Sequence, residues 1–199
     1  MKSSAIRIQI SPDDPVSKNV AHFVMFVKMD DKRFFLERLI NENPEAKILV
    51  FVRTKVRAER IAKAMERVGI SAKTIHGDKV QLDRTTVMND FKTSKIKVLV
   101  ATDVSARGID VDRVEFVVNY DLPEKPENYV HRVGRTGRGV KKGQALSFCS
   151  EAEKEFVALI EEYTTVPITR AFLSKSEYAE TIELAEEVKD DWRALMEQD

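Results

Sequence analysis

The sequence is poor in cysteine and lacks any long apolar segment. Its 199 residues include a single cysteine, Cys149, so no internal disulfide can form and a disulfide-stapled secreted scaffold is excluded. No stretch of about 18 apolar residues occurs, which argues against a membrane-spanning helix. The first four residues, Met-Lys-Ser-Ser, lack the apolar stretch of a signal peptide. We therefore expect a soluble cytoplasmic domain that makes no membrane contact.

Two familiar phosphate-binding loops are also missing. The P-loop pattern, GxxxxGKS or GxxxxGKT, comes nearest at residues 134–141, where Val140 takes the place of the lysine. The dinucleotide pattern GxGxxG fails because Lys142 stands where its last glycine belongs. The histidines are scattered, without the spacing of metal ligands: His22, His76 and His131. We predict that this chain holds neither an autonomous nucleoside-triphosphate site nor a metal site.

The charges are balanced in number but not in position. Lys plus Arg and Asp plus Glu both total 33. Residues 151–199 contain 14 acidic and 5 basic residues, a net charge of −9, so the first 150 residues carry +9. A basic body with an acidic tail favours binding of a polyanion to the body, although an ordinary solvated surface is the alternative.

Short apolar runs alternate with amphipathic segments along most of the chain. The apolar runs read as strands at 21–27, 47–52, 72–75, 97–101, 115–119 and 144–149. The amphipathic segments read as helices at 30–40, 55–68, 81–91, 126–133 and 150–163. This alternation predicts an α/β fold with an open, mostly parallel sheet and helices on both faces. Ligands of such sheets bind beyond the carboxyl ends of the strands, so we expect function in four loops, those after Val52, Ile75, Ala101 and Asn119.

The C-terminal segment reads as a separate acidic helical extension. Val166-Pro167 interrupts the alternation, and Ser174 to Glu177 form a capping box that opens a long helix. Apolar residues recur along that helix at spacings of three or four from Tyr178 to Leu195. We expect this helix to pack on the domain through Trp192, with docking of a partner as the alternative. The predicted division is therefore residues 1–165 and residues 166–199.

The segment from His131 to Arg138 is the most unusual one in the sequence. Arg135 and Arg138 lie three residues apart, with glycines around them. Guanidinium groups stay charged and suit phosphate oxygens, and glycine lets the backbone approach a ligand closely. The pattern favours an anion between the two arginines over a simple basic surface turn.

Three more polar segments follow predicted strands. Asp103 lies just after the strand at 97–101, where it is either a helix cap at Val104 or part of a site. His76 ends another strand, and a lone histidine there is more often packed than catalytic. Arg84, on a first helical turn, could hold a phosphate. The fourth basic loop, Arg53-Thr54-Lys55, follows the strand at 47–52.

Together these segments resemble the DEAD-box RNA helicase family, in its second, C-terminal RecA-like domain. The resemblance covers about residues 20–165, and five motifs occur in the family's order. They are motif IV (Phe51–Lys55), IVa (His76–Asp78 with Gln81 and Arg84), V (Ala101–Asp103 and Arg107–Asp110), Va (Asn119–Pro123) and VI (His131–Arg138). One departure is Val80, which stands where a small polar residue is common.

The resemblance implies roles in ATP hydrolysis for motifs V and VI. ATP and Mg²⁺ would bind mainly to an N-terminal RecA-like domain, whose Walker A loop and DEAD carboxylates this chain lacks. By similarity Arg138 is the arginine finger, Arg135 is its companion on the γ-phosphate, and Asp110 contacts the ATP ribose. The catalytic set also includes His131, which with Asp103 and Arg107 belongs to the inter-domain network that senses closure.

The resemblance also implies a set of RNA contacts that do not read sequence. The residues that match the family's sugar-phosphate contacts are Thr54, Gly77, Arg84 and Thr102. Contacts to the backbone carry no sequence information, and their strength depends on salt. We expect the isolated chain to be inactive and to complete an RNA-unwinding or RNA-remodelling ATPase with its partner domain. Two alternatives are a non-catalytic RNA- or protein-binding module and a DNA translocase of a related helicase group.

Overall fold

The computed structural model describes residues 19–106, 114–137 and 142–196, with side chains as far as residue 185. Within these ranges seven strands alternate with seven α-helices. The strands are β1 (Val20–Phe26), β2 (Ile48–Val52), β3 (Ala72–Ile75), β4 (Val98–Thr102), β5 (Phe116–Asn119), β6 (Gly143–Cys149) and β7 (Thr169–Ala171). The helices are α1 (Lys32–Glu42), α2 (Lys55–Arg67), α3 (Gln81–Lys92), α4 (Asp103–Ala106), α5 (Pro126–Val133), α6 (Lys154–Thr164) and α7 (Lys175–Met196).

All seven strands join one parallel sheet in the order β3-β4-β2-β5-β6-β1-β7. Every residue of β2 and β4 is buried, as continuous apolar runs predict for strands covered on both faces. The predicted open parallel sheet is therefore confirmed. The predicted strand and helix bounds agree with the observed ones to within two residues, except that the helix predicted from residue 150 begins at Lys154.

The core lies on both faces of this sheet because successive strand side chains point to opposite sides. In β2, Val50 belongs to a cluster with side chains of α1 and α2, whereas Leu49 packs with Phe91 of α3. A third cluster joins β1 and β6 to α5 and α6. The helices therefore form a layer on each face, with α1 and α2 on one side.

Local sequence signals explain where several helices begin and end. Thr54 caps α2, because its hydroxyl accepts a hydrogen bond from the Arg57 amide at 3.3 Å. Gly69 follows that helix at a φ of +77°, the left-handed conformation in which glycine commonly ends a helix. Pro126 opens α5 at its first turn. The capping box of Ser150 and Glu153 is present, but it encloses a 3₁₀ turn, Glu151–Glu153, and α6 begins only at Lys154.

The segment beyond residue 166 contributes a strand as well as the expected helix. Strand β7 pairs with β1 at the sheet edge, and α7 packs against α1. The capping box at Ser174 is confirmed, because Glu177 accepts from the Ser174 amide at 2.8 Å and donates its own amide to the Ser174 hydroxyl at 3.1 Å. Tyr178 packs against Phe35 with ring centroids 4.9 Å apart and the ring planes tilted by 57°. The Trp192 side chain lies outside the described residues, and the division of the chain at 165/166 stays a prediction.

No helix in the described ranges has both the length and the apolar character needed to cross a bilayer.

Candidate functional site

The loops singled out in the sequence converge on the carboxyl edge of four adjacent strands. In the register of the sheet, Thr102 at the end of β4 lies beside Val52 of β2, and Ala101 lies beside Ile75 of β3. Thr54 and Gly77 each follow those aligned strand ends by two residues. Neighbouring strands are about 4.8 Å apart, so three of the four predicted RNA contacts form a row on one edge.

Each residue in this row is held differently. Thr54 is exposed and caps α2, whereas Thr102 is buried and its hydroxyl hydrogen-bonds Ser105 at 3.0 Å. Gly77 is exposed, and a Cβ built on it would meet nothing within 4 Å. Its φ is not positive, so the fold itself does not demand glycine there. A glycine that the fold does not need is consistent with close approach of a ligand to the backbone.

The fourth predicted RNA contact, Arg84, lies on the first turn of α3. Its guanidinium donates to Gln81 at 3.4 Å, and its buried Nε has no hydrogen-bond partner among the described residues. His76 is buried and bonds Glu59 through Nε2 at 2.8 Å, the packed arrangement we expected for it. Burial alone would raise the pKa of Glu59, but hydrogen bonds from Thr74 and His76 outweigh it and lower that pKa to about 2.

Arg132 is the centre of the site, and we did not single it out from the sequence. It is fully buried on the inner face of α5 and forms a two-bond ion pair with Asp103, at 2.6 and 2.9 Å. Its Nη1 also donates to the Asn119 side chain at 3.1 Å and to the Asp121 carbonyl at 2.7 Å. One guanidinium thus joins α5 to the ends of β4 and β5. The sequence did contain one indication of this role. Arg132 is a charged residue whose helical spacing from Tyr129 and Val133 places it on the same face of α5 as those two residues.

The position of Asp103 corrects one sequence-based interpretation. Asp103 is itself the first residue of α4, so it does not cap a helix that starts at Val104. Its carboxylate is committed to Arg132 within the domain. Its proposed membership of an inter-domain network stays a prediction.

A second group of charges joins the loops after β1, β2, β5 and β6. Asp121 is buried and accepts from the Arg53 amide at 3.0 Å and from Arg57 Nε at 2.8 Å. The Arg53 guanidinium donates to Glu153 at 2.7 Å, and Glu153 also binds Lys32 at 2.5 Å. Burial opposes ionisation of Glu153, but its hydrogen bond with Lys32 lowers its pKa on balance, whereas burial lowers the pKa of Lys32. These ion pairs connect four loops at the same edge.

The motif VI side chains lie at the far end of α5. His131 is exposed, and Arg135 is half-buried, with its Nε donating to the His131 carbonyl at 3.2 Å. The remaining predicted residues of motifs V and VI lie outside the described residues: Arg107, Asp110 and Arg138. The described part of motif VI is therefore joined, through Arg132, to the edge that carries the motif V residue Thr102.

A polar cleft of about 540 Å³ opens between the loops after β2 and β5. Its lining includes Arg53, Thr54, Asp103, Asp121 and Lys125. The chain runs from β2 towards β3 on one side and from β5 towards β6 on the other, so this cleft is where connections diverge and where such sheets bind ligands. Among the described residues, no group of three His, Cys, Asp or Glu side chains could hold a metal ion.

Comparison with known proteins gives a consistent family. Residues 31–140 match the family described as the helicase conserved C-terminal domain. The chain is 43% identical over 157 residues to the ATP-dependent RNA helicase DbpA of Bacillus subtilis, an alignment that covers 78% of this chain and 33% of that protein. The chain therefore spans about a third of the length of the curated relatives it matches.

Two solved structures extend the comparison to the fold. Saccharomyces cerevisiae Dbp5 bound to RNA and ADP BeF3 matches with a TM-score of 0.78 and 30% identity, over 90% of this chain and 48% of that one. The C-terminal domain of the DEAD-box protein Dbp5 matches with a TM-score of 0.72 and 31% identity, over 86% of this chain and 98% of that one. The chain belongs to the helicase conserved C-terminal domain family, as the RecA-like C-terminal domain of a DEAD-box helicase.

Proposed function

We propose that this chain forms the C-terminal half of an ATP-dependent RNA helicase. An N-terminal RecA-like domain of the same protein holds ATP and Mg²⁺, and this chain closes over the nucleotide. RNA lies across the row formed by Thr54, Gly77 and Thr102, together with Arg84. The observation that carries the proposal is the placement of this row and of the Arg132-anchored motif VI helix on one edge of the sheet.

The chemistry assigned to motif VI is electrostatic. Arg135 and Arg138 contact the γ-phosphate, and a guanidinium there neutralises the charge that develops as the phosphoryl group is transferred. His131 and Asp110 complete the contacts to the nucleotide side of the cleft, while Asp103 and Arg107 link closure to RNA binding. ATP turnover requires both domains, so the 199-residue chain alone has none.

ATP hydrolysis by the complete protein tests the nucleotide role. Arg138→Ala should lower RNA-stimulated turnover by about 10³-fold or more, because an arginine finger contributes about 10³–10⁵ to the rate. Arg135→Ala should also reduce turnover, with ATP binding retained in both variants. Arg60→Ala, on an exposed position of α2 away from this edge, is the matched control. Turnover of Arg138→Ala at the Arg60→Ala level would refute the finger role.

RNA affinity as a function of salt tests the nucleic-acid role. Arg84→Gln should weaken binding equally for unrelated sequences and should reduce the slope of log K against log salt by about 1, since one phosphate contact is lost. Tight RNA binding by a complete protein without ATP turnover would instead favour the non-catalytic binding module. Equal stimulation of ATP hydrolysis by RNA and by DNA would favour a DNA translocase of a related helicase group.

A further inference from the structure

A buried chain of hydrogen bonds lies beneath α5, beyond the contacts of Arg132. Tyr129 is on the same inner face of this helix and is only 1% exposed. Its hydroxyl hydrogen-bonds Nδ1 of the buried His22 on β1 at 2.8 Å, and Ser147 on β6 neighbours the same hydroxyl. Burial raises the pKa of Tyr129 well above its ordinary value and lowers the pKa of His22, so both groups are neutral at pH 7.

These buried hydrogen-bonded groups adjoin the Arg132 site. Ser147 accepts from the Asn119 side-chain amide at 3.1 Å, and the oxygen of that amide accepts from Arg132 at 3.1 Å. Since arginine can only donate, the orientation of the Asn119 amide is fixed. The hydrogen bonds therefore run from Asp103 through Arg132 and Asn119 to Ser147, and Ser147 lies beside the hydrogen-bonded pair of Tyr129 and His22. Tyr129 and Arg132 lie three residues apart on α5, so these hydrogen bonds hold the helix at two points.

The geometry of these bonds restrains the helix more specifically than apolar packing does. Apolar side chains at positions 129 and 132 could shift by a fraction of an ångström at small cost in free energy. The directed hydrogen bonds of Tyr129 and Arg132 instead restrain both the rotation of α5 and its position along the helix axis. Buried polar groups of this kind are not the most stabilising way to fill a core. Their effect is to define one arrangement of the helix that carries His131 and Arg135.

We propose that Tyr129, Ser147 and His22 are positioning residues that set the orientation of α5 and, through it, of the motif VI side chains. None of the three needs to touch nucleotide or RNA. The consequence for catalysis rests on the proposed function of Arg135 and Arg138. Whether these buried hydrogen bonds orient α5 can be measured without an ATPase assay.

The first experiment uses the 199-residue chain and NMR detection of the Arg132 Nε–H, which bonds Asp103. Tyr129→Phe should raise its exchange with solvent by about tenfold, because α5 then opens locally more often. Ile160→Val removes a methyl group from the same core cluster and controls for a general loss of stability. Exchange in Tyr129→Phe no faster than in Ile160→Val would overturn the proposal.

A pair of His22 variants gives a second, independent test. Glutamine can hydrogen-bond the Tyr129 hydroxyl, whereas leucine fills similar space without a polar atom. His22→Gln should keep the slow Arg132 Nε–H exchange of the wild type, and His22→Leu should show the faster exchange of Tyr129→Phe. Equal exchange rates in the two variants would show that His22 acts only as packing and would overturn its positioning role.

Steady-state ATPase kinetics of the complete protein test the consequence. Tyr129→Phe should lower kcat about tenfold at unchanged KM for ATP, because a displaced arginine loses transition-state contact but not ground-state binding. An unchanged kcat beside faster Arg132 exchange would overturn the catalytic part of this inference and leave the proposed function standing. A wild-type protein with no RNA-stimulated hydrolysis would overturn the proposed function, while the exchange data would still decide whether the chain orients α5.

Discussion

The carboxylate of Glu153 organises more of the edge than any neighbouring charge, which makes its removal an informative perturbation. Its two oxygens accept from the Lys32 ammonium, the Arg53 guanidinium, the Ser150 amide and hydroxyl, and the Leu122 amide. Glu153 is 1% exposed and Lys32 is completely buried, so water cannot replace these bonds without local unfolding.

The free energies expected for the two partners are unequal. Glu153→Met leaves a buried ammonium without its counter-charge and two buried amides without acceptors, and breaking a buried ion pair from one side costs about 3–5 kcal/mol. Lys32→Met leaves the carboxylate with Arg53 and the Ser150 and Leu122 donors. The main group left without a partner is the Tyr120 carbonyl, which accepts from Lys32 at 2.7 Å. Losing this hydrogen bond costs about 1–3 kcal/mol of folding free energy. We therefore expect Glu153→Met to be more destabilising than Lys32→Met by about 2 kcal/mol.

Urea unfolding of the 199-residue chain, followed by circular dichroism, measures this difference. At a slope of about 1–3 kcal/mol per molar urea, the two variants should differ in midpoint by about 1 M. The double variant should be less destabilised than the sum of the single ones, because removing Lys32 eliminates the uncompensated charge that Glu153→Met leaves behind. A larger loss for Lys32→Met than for Glu153→Met would refute this account of the network.

Two further predictions concern the flanks of the site. Because the pKa of Glu59 is about 2 in the folded chain and 4.5 in its ordinary state, its contribution to stability is complete above pH 4.5 and is lost as the pH falls through 2. Glu59→Gln should therefore flatten the acid-induced loss of the urea midpoint over that range. Tyr178 donates to Asp31 at 2.7 Å and accepts from the Lys28 amide at 3.0 Å. Tyr178→Phe should lower stability by about 1 kcal/mol and speed proteolysis within α7, with Tyr163→Phe as the control.

The fold was largely predictable because its signals are local. Continuous apolar runs identified β2 and β4, and amphipathic spacing predicted α2 to within one residue. Strand β7 was not predicted, since its sequence is Thr-Arg-Ala and only pairing with β1 makes it a strand. The short α4 was only one of two interpretations of the residues around Val104, because four residues carry too little periodicity to indicate a helix.

For the site, the sequence allowed prediction of the residues involved and of the sheet edge at which they meet, but not of their partners. The resemblance to the DEAD-box family supplied the residues, and the predicted parallel sheet indicated that their loops meet at one edge. The partners within that edge depend on contacts between residues far apart in the chain, such as Arg132 with Asp103 and Lys32 with Glu153. Their spacing in the sequence contains no sign of these pairs. A charged residue on the buried face of a helix was the one available indication, and it applied to Arg132.

Buried charge in the described part of the domain is concentrated where the ligands are proposed to bind. Four charged residues are buried at the carboxyl edge of the sheet, namely Lys32, Asp121, Arg132 and Glu153, whereas Lys47 lies at the opposite edge. Burying charges is costly and is seldom the most stable solution for a core. Directed ion pairs do, however, hold loops in one geometry, which a site needs when its groups must meet a ligand in a set arrangement. We infer that the edge is already arranged in the isolated domain, before any of the proposed ligands binds.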